Sequence, residues 1–362
     1  MHEAYTAMYH ASRITSYEES YMPLKPILAE VINRRDLTFA QATEAMNIIM
    51  DGLATPAQIG SYLTALRMKG ETVDEIAGSA KAMRDHVVPV HVPLQPGEIL
   101  LDIVGTGGDG RHTFNISTTS AFVIAAAHQK VAKHGNRAAS SRSGSADVLM
   151  ALGANLELTP EQVADCVQEV DIGFLYAVKH HPAMRFAIGP RREMGQRTIF
   201  NVLGPLTNPA GASHQVLGVY DPALTEVMAR VLASLGSAAA LVVHGADGLD
   251  ELSTTGPNQI SYLKGGQVTN QTFDPQDIGL PRARLEDFIG GTPEENAVIT
   301  RAILSGEDQG PRRDVVLLNS AAALCLDDLD WHKGLARARK AIDSGRALAT
   351  LDAWIAQTNR FK

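Results

Sequence analysis

The stretch ILLDIVGTGGDGRHTFNIST, residues 99–118, decides how the rest of the chain is read. A short apolar run, Ile99–Val104, passes into Gly105-Thr106-Gly107-Gly108-Asp109-Gly110 and closes on Asn115-Ile116-Ser117-Thr118. Glycine permits positive φ and close main-chain approach, so successive N–H groups can be turned on one anion. Small polar residues opening the next helix add unpaired amides and the positive end of its dipole, which favour phosphate oxygens. The spacing is neither the dinucleotide fingerprint nor the Walker loop, because no Gly-Lys-Ser/Thr follows. A tight turn with a helix cap would also use these glycines; the added Asn115–Thr118 run tips the reading toward a phosphate site.

Downstream of that stretch, short apolar runs alternate with helical patterns. Strands are expected at Ile99–Val104, Lys130–Lys133, Ile172–Ala177, Val216–Tyr220 and Ala238–His244. Helices are expected at Thr118–Gln129, Ala146–Leu152, after the cap Thr159-Pro160, and at Ala223–Leu235. That rhythm predicts an α/β domain with a mainly parallel central sheet. In such sheets ligands sit beyond the carboxyl ends of strands, so the loops after residues 104, 133, 177 and 244 should carry the chemistry.

Upstream the pattern is helical. Thr55-Pro56 reads as a cap with proline at the first helical position, opening a helix that stops at Gly70. Thr72-Val73-Asp74-Glu75 has capping-box spacing and opens another. The expected organisation is a polar extension over residues 1–23, a small helical domain over 24–92, and a large α/β domain over 93–362. Helices around 183–210 are expected to pack on the helical domain.

Composition narrows the class. Apolar residues at 45% and charged residues at 20% are ordinary for a globular protein, and a net charge of −8 argues against broad binding to nucleic acid or anionic lipid. Cys166 and Cys325 lie far apart, outside any metal-type spacing, which suits a reduced, cytoplasmic setting. The longest apolar runs are too short to span a bilayer, and the first 24 residues lack the hydrophobic segment of a signal peptide.

Three further stretches carry candidate chemistry. KHGNRAASSRSGSADVL, residues 133–149, supplies Lys133, Arg137 and Arg142 as cations and Ser140, Ser141, Ser143 and Ser145 as neutral donors. A solvated loop would look similar, and its place after a strand, beside the glycine loop, makes a polyphosphate ligand attractive. HGADGLDEL, residues 244–252, contains Asp250 and Glu251, hard oxygen ligands of the kind that tie Mg²⁺ to a polyphosphate. These charges are expected to face solvent and ligand. HHPAMRFAIGPRREMGQRTIFNVLGPLTNP, residues 180–209, concentrates arginines, one of which can clamp a carboxylate bidentately. His180 and His181 are adjacent and point different ways, so packing or hydrogen bonding suits them better than metal ligation.

Taken in order, these motifs, with TPAQIGSYLTALRMKGETVDEIAG and GPRRDVVLLNSAAAL, resemble the anthranilate phosphoribosyltransferases over about residues 25–355. The resemblance implies the nucleoside-phosphorylase/phosphoribosyltransferase fold, with a small helical N-terminal domain and a large α/β domain. It implies transfer of the phosphoribosyl group of 5-phosphoribosyl 1-pyrophosphate to the amine of anthranilate, in tryptophan biosynthesis. It also implies Mg²⁺, expected at two per subunit, and a homodimer formed through the helical domain, while the cysteines and the charge balance argue for a cytoplasmic protein without nucleic-acid or membrane partners. Position by position, the donor would be bound by Gly105, Gly108, Asp109, Thr113, Asn115, Ile116, Ser117 and Thr118. Lys133, His134, Gly135, Asn136, Arg137, Ala138, Ala139, Ser140, Ser141 and Ser145 would join them. Anthranilate would meet Gly105, Asn136, Arg191 and His181, and metal would be held by Ser117, Asp250 and Glu251. No residue is implied as a covalent nucleophile. Pro190 stands before Arg191 where the family commonly carries an aliphatic residue.

Two other functions compete with this one. A pyrimidine nucleoside phosphorylase would share the architecture, yet phosphorolysis needs no metal-held pyrophosphate, and Asp250-Glu251 disfavours it. A non-catalytic nucleic-acid-binding relative is disfavoured by the acidic balance and the intact phosphate and metal motifs.

Overall fold

The computed structural model describes residues 22–138 and 142–362. Most of the N-terminal extension, and Ala139, Ser140 and Ser141 of the proposed donor loop, lie outside the described residues. By internal contacts the chain divides into two units, one of residues 1–86 and 183–200, the other of 87–182 and 201–362.

The first unit is helical. Its helices span Lys25–Ile32, Phe39–Met50, Pro56–Lys69, Val73–Asp85 and Arg185–Met194. Thr38, Thr55 and Thr72 each close a capping box with Gln41, Gln58 and Glu75, so the two starts expected at Thr55 and Thr72 are realised and Thr38 adds a third. Glu75 does more than cap. Its buried carboxylate also accepts from the Leu37 N–H at 2.9 Å and pairs with Lys69 at 2.9 Å, tying three chain segments together. Gly78 lets its helix touch Phe39–Met50, because a β-carbon there would overlap the Phe39 carbonyl. Pro190 sits inside Arg185–Met194, where it lacks the N–H that would bond to Phe186.

The second unit is built on a seven-stranded sheet of order β3-β2-β1-β4-β5-β6-β7. The strands are β1 Leu101–Gly105, β2 Val131–Gly135, β3 Ile172–Tyr176, β4 His214–Gly218, β5 Ala239–His244, β6 Asn258–Lys264 and β7 Gln267–Phe273. The first five are parallel and β6 and β7 antiparallel. The five parallel strands fall within a few residues of the expected runs. The β6–β7 hairpin was not anticipated; Gly265 and Gly266, at φ 55° and 77°, form its two-residue turn. The helix expected over Thr118–Gln129 runs from Ile116 to Ala126; Asn115 stands at its N-cap position without a side-chain cap bond, and His128 lies beyond its end at φ 62°.

Nearly every residue of Ile116–Ala126 is buried, and Phe122 meets Trp354 edge-on at 5.5 Å in the core. The contact-defined helical unit ends at residue 86, and the N–H groups of Val88 and Val90 bond to the carbonyls of His180 and Pro209 within the second unit. The sheet order reverses direction between β1 and β4, whose terminal residues Gly105 and Gly218 are paired in register. A crevice is expected beyond such a reversal. The loop Gly105–Gly110 opens there.

Candidate active site

Three strands end on glycine at the same edge of the sheet, and each glycine makes room for a functional group. A β-carbon on Gly105 would overlap the Asp250 carboxylate, one on Gly218 the Asp250 carbonyl, and one on Gly135 the Ser145 hydroxyl. Beyond Gly105 the chain turns through Gly107, Gly108 and Gly110 at φ 69°, 78° and 72°, a conformation that side chains disfavour. Gly107 N–H donates to Asp250 Oδ2 at 2.5 Å, and Ser117 N–H, in the first turn of its helix, donates to Glu251 Oε1 at 3.2 Å. Lys133, in the middle of β2, donates through Nζ to the Ile103 carbonyl at 2.6 Å and to Ser117 Oγ at 3.3 Å. The loop after β1, the next helix start, strand β2 and the loop after β5 thus meet at one point, although Gly107 and Asp250 are 143 residues apart.

The electrostatics of that point are unusual. Asp250 and Glu251 do not face solvent as the sequence suggested; Asp250 is buried and Glu251 half-buried. Burial, then the charges of Glu251 and Asp109, push the Asp250 carboxyl well above the usual range. Burial likewise raises Glu251, against the pull of Lys133 and Ser117. Burial lowers Lys133, while Asp102, Glu251 and Asp250 oppose that shift. One buried cation therefore faces three carboxylates, a surplus of negative charge held by hard oxygen donors. A divalent cation suits that surplus. Among the described residues no group of three or more His, Cys, Asp or Glu could hold a metal alone, so the remaining ligands would come from substrate oxygens and water.

The other expected residues make the following contacts within their own units. Asp109 Oδ1 accepts from the Arg111 N–H, and Thr113 forms an isolated bridge with Ile289. Asn115 stands at the N-cap position of its helix with its side chain turned to Ser143 and Asn296, while the Ile116 and Thr118 side chains are buried and Ile116 N–H bonds to the Phe114 carbonyl. Asn136 Oδ1 accepts from Arg137 N–H, and its carbonyl accepts from Ser145 Oγ at 3.2 Å. Arg137 lies against Met150, and Ala138 N–H bonds to Asp147. Gly108 is exposed at the loop tip. Arg191 belongs to the helical unit, where its guanidinium lies 4.9 Å from the centre of the Phe200 ring.

Family models match both parts of the chain: a glycosyl transferase family helical bundle domain over residues 25–87 and a glycosyl transferase family α/β domain over 97–348. The anthranilate phosphoribosyltransferase of Moorella thermoacetica is 55% identical over 92% of this chain and 98% of its own length. That of Chloroflexus aurantiacus is 56% identical over the same shares. The chain belongs to the anthranilate phosphoribosyltransferase family. Among solved structures, the family member from Thermus thermophilus superposes with a TM-score of 0.86 at 44% identity, covering 92% of this chain and 99% of that one. The Saccharomyces cerevisiae member in complex with phosphoribosyl pyrophosphate and Mg superposes at 0.83 with 31% identity, over 93% of this chain and 99% of that one.

Asp102, on β1, was missed as a site residue of this family member. It accepts from His134 N–H at 3.1 Å and from Asn208 Nδ2 at 2.8 Å. Burial pushes it up to about 6, while Lys133 and then Asn208 pull it back. An acid inside an apolar strand was the available signal. Asn319 was missed too; its amide clasps both the N–H and the carbonyl of Leu252, next to Glu251.

His134 and His181 meet at 3.1 Å between their Nε2 atoms, and His180 instead bonds to the Val88 carbonyl. Burial, then the two neighbouring histidines, holds His134 well below its ordinary value, and burial lowers His181 to about 4. Because the unfolded chain takes up protons near pH 6.5 that the native pair refuses, their stability contribution is present above that pH and is lost as pH falls toward 4. We expect the melting temperature of His181→Gln to fall less between pH 7 and pH 5 than that of the unaltered protein. Parallel melting curves against pH would show that His181 titrates normally.

Proposed function

We infer that the chain transfers the phosphoribosyl group of 5-phosphoribosyl 1-pyrophosphate to the amine of anthranilate, releasing pyrophosphate. The observation that carries this reading is the convergence of Gly107, Ser117 and Lys133 on the buried pair Asp250 and Glu251. A glycine-lined anion cradle beside a desolvated carboxylate pair suits a diphosphate and its cation, and inorganic phosphate alone would need no such pair.

As pyrophosphate departs from C1 of the ribose, negative charge grows on the leaving oxygens while the sugar gains oxocarbenium character. Mg²⁺, when bound, neutralises diphosphate charge. The exposed tip of the Gly105–Gly110 loop and the positive end of the helix that begins at Ile116 face the donor's oxygens in this reading, and Lys133 supplies a positive charge behind Ser117. Gly108, Asp109, Thr113, Asn115, Ile116, Thr118 and residues 133–141 with Ser145 complete the donor subsite in this reading. Ser117, Asp250 and Glu251 would hold the metal in this reading, with two ions per subunit. An aromatic amine is neutral and nucleophilic at pH 7, so positioning matters more than a strong base. Gly105, Asn136 and His181 face anthranilate, and Arg191 clamps its carboxylate. The Saccharomyces cerevisiae relative solved with 4-fluoroanthranilate supports an aromatic amino acid as acceptor.

Residues 24–92 form the dimerisation domain in this reading, and the protein works as a cytoplasmic homodimer. An apolar groove between Lys25–Ile32 and Pro56–Lys69 supports that assembly: Ile32 and Met68 line it and are 60% and 69% exposed. Among the described residues no helix is long and apolar enough to cross a membrane. The deciding experiment follows anthranilate fluorescence with phosphoribosyl pyrophosphate, with and without Mg²⁺. Consumption that requires the metal is expected; phosphorolysis of uridine or thymidine without it would overturn the assignment.

A further inference from the structure

The loop that carries the donor-site residues is braced from behind by a segment far away in the sequence. Phe114 N–H donates to the Phe288 carbonyl and Gly290 N–H to the His112 carbonyl, each at 2.9 Å. Gly290 permits this approach, because a β-carbon there would overlap the Phe114 backbone. Arg312 fixes the brace in turn, donating to the carbonyls of Asp287 and Ile289 at 3.1 and 3.2 Å.

Within the brace Asn296 is almost fully buried, with 2% exposure. Its Oδ1 accepts from Gly291 N–H at 2.8 Å, and its Nδ2 donates to Asn115 Oδ1 at 3.0 Å. Asn115 Nδ2 then donates to the Ser143 carbonyl at 3.3 Å, and Ser143 Oγ donates back to Asn115 Oδ1 at 3.3 Å. The chain of bonds begins at a backbone N–H and ends at a backbone carbonyl, groups whose polarity cannot change. Neither asparagine can therefore be turned over without breaking a bond. With two bonds, the Asn115 oxygen has both lone pairs engaged, whereas one of its two amide hydrogens is spent on Ser143.

We propose that Asn296 is a positioning residue for the phosphoribosyl donor: it locks the Asn115 amide so that a hydrogen, and not a lone pair, is offered to the donor's anionic oxygens. This rests on the reading of Asn115 as part of the donor subsite. Asn296→Asp tests it with little change of shape. The aspartate still accepts from Gly291 but can no longer donate to Asn115, whose amide must turn over and offer its oxygen to the anion.

The Michaelis constant for phosphoribosyl pyrophosphate should rise about tenfold or more in Asn296→Asp, while that for anthranilate at saturating donor stays within about twofold. Asn296→Ala, which adds no charge, should give a smaller rise of the same kind. Both effects should vanish in an Asn115→Ala background, because the group being oriented is gone. Should Asn115→Ala alone leave the donor constant unaltered, the donor-site reading of Asn115 fails. If Asn115→Ala raises it while the Asn296 variants do not, or act equally with and without Asn115, the positioning role is overturned. Failure of both Asn296 variants to fold would likewise overturn it, making the residue purely part of the scaffold.

Discussion

Asp250→Asn combined with Glu251→Gln should lower turnover about a thousandfold, while the metal-free protein melts no lower than the unaltered one. The two halves of this expectation come from the same geometry. Both carboxylates are desolvated side by side, and burial raises both, so their ionised forms are held in the native state at a cost. The neutral replacements keep an oxygen that accepts from Gly107 and Ser117, and Lys133 keeps Asp102 as its counter-charge. A carboxyl raised in the folded state contributes stability at low pH that is lost as pH rises through the folded value. The melting advantage of the double variant should therefore be larger at pH 8 than at pH 6. Scanning calorimetry in a chelator reads this, beside kcat at saturating substrates. Unchanged turnover would remove the metal-holding role; a large drop in melting temperature would make the acids structural.

The second large effect is expected for Arg191→Ala. A guanidinium that clamps a carboxylate through two parallel bonds contributes about 1.5–3 kcal/mol, so the Michaelis constant for anthranilate should rise about ten- to a hundredfold. The constant for the phosphoribosyl donor should change little. Stacking on Phe200 holds the planar group in place. Lysine, a point charge without the planar fork, should not restore the affinity. Equal effects on both substrates would contradict the carboxylate role.

The legibility of this molecule in its sequence followed the range of the interactions. The caps at Thr55 and Thr72, the parallel strands and the glycine loop are written in residues a few positions apart, and each was readable. The β6–β7 hairpin also carried a local signal, the pair Gly265-Gly266 between alternating residues, which went unread. The burial of Asp250 and Glu251 was not local: it depends on Gly105 and Gly218 admitting the 250–251 backbone. The roles of Asn296, Asn319 and Arg312 are more remote still, since each acts on a segment tens to hundreds of residues away. Nothing near an asparagine in a helix says which distant amide it will meet.

The separation of Gly107 from Asp250 by 143 residues has a consequence for how the protein comes into being. A ribosome that has delivered only β1, β2 and β3 has made the cradle without its acids, and closing so long a loop slows the final pairing. Growing chains therefore lack both acids of the site until β4, β5 and the loop after them have been made.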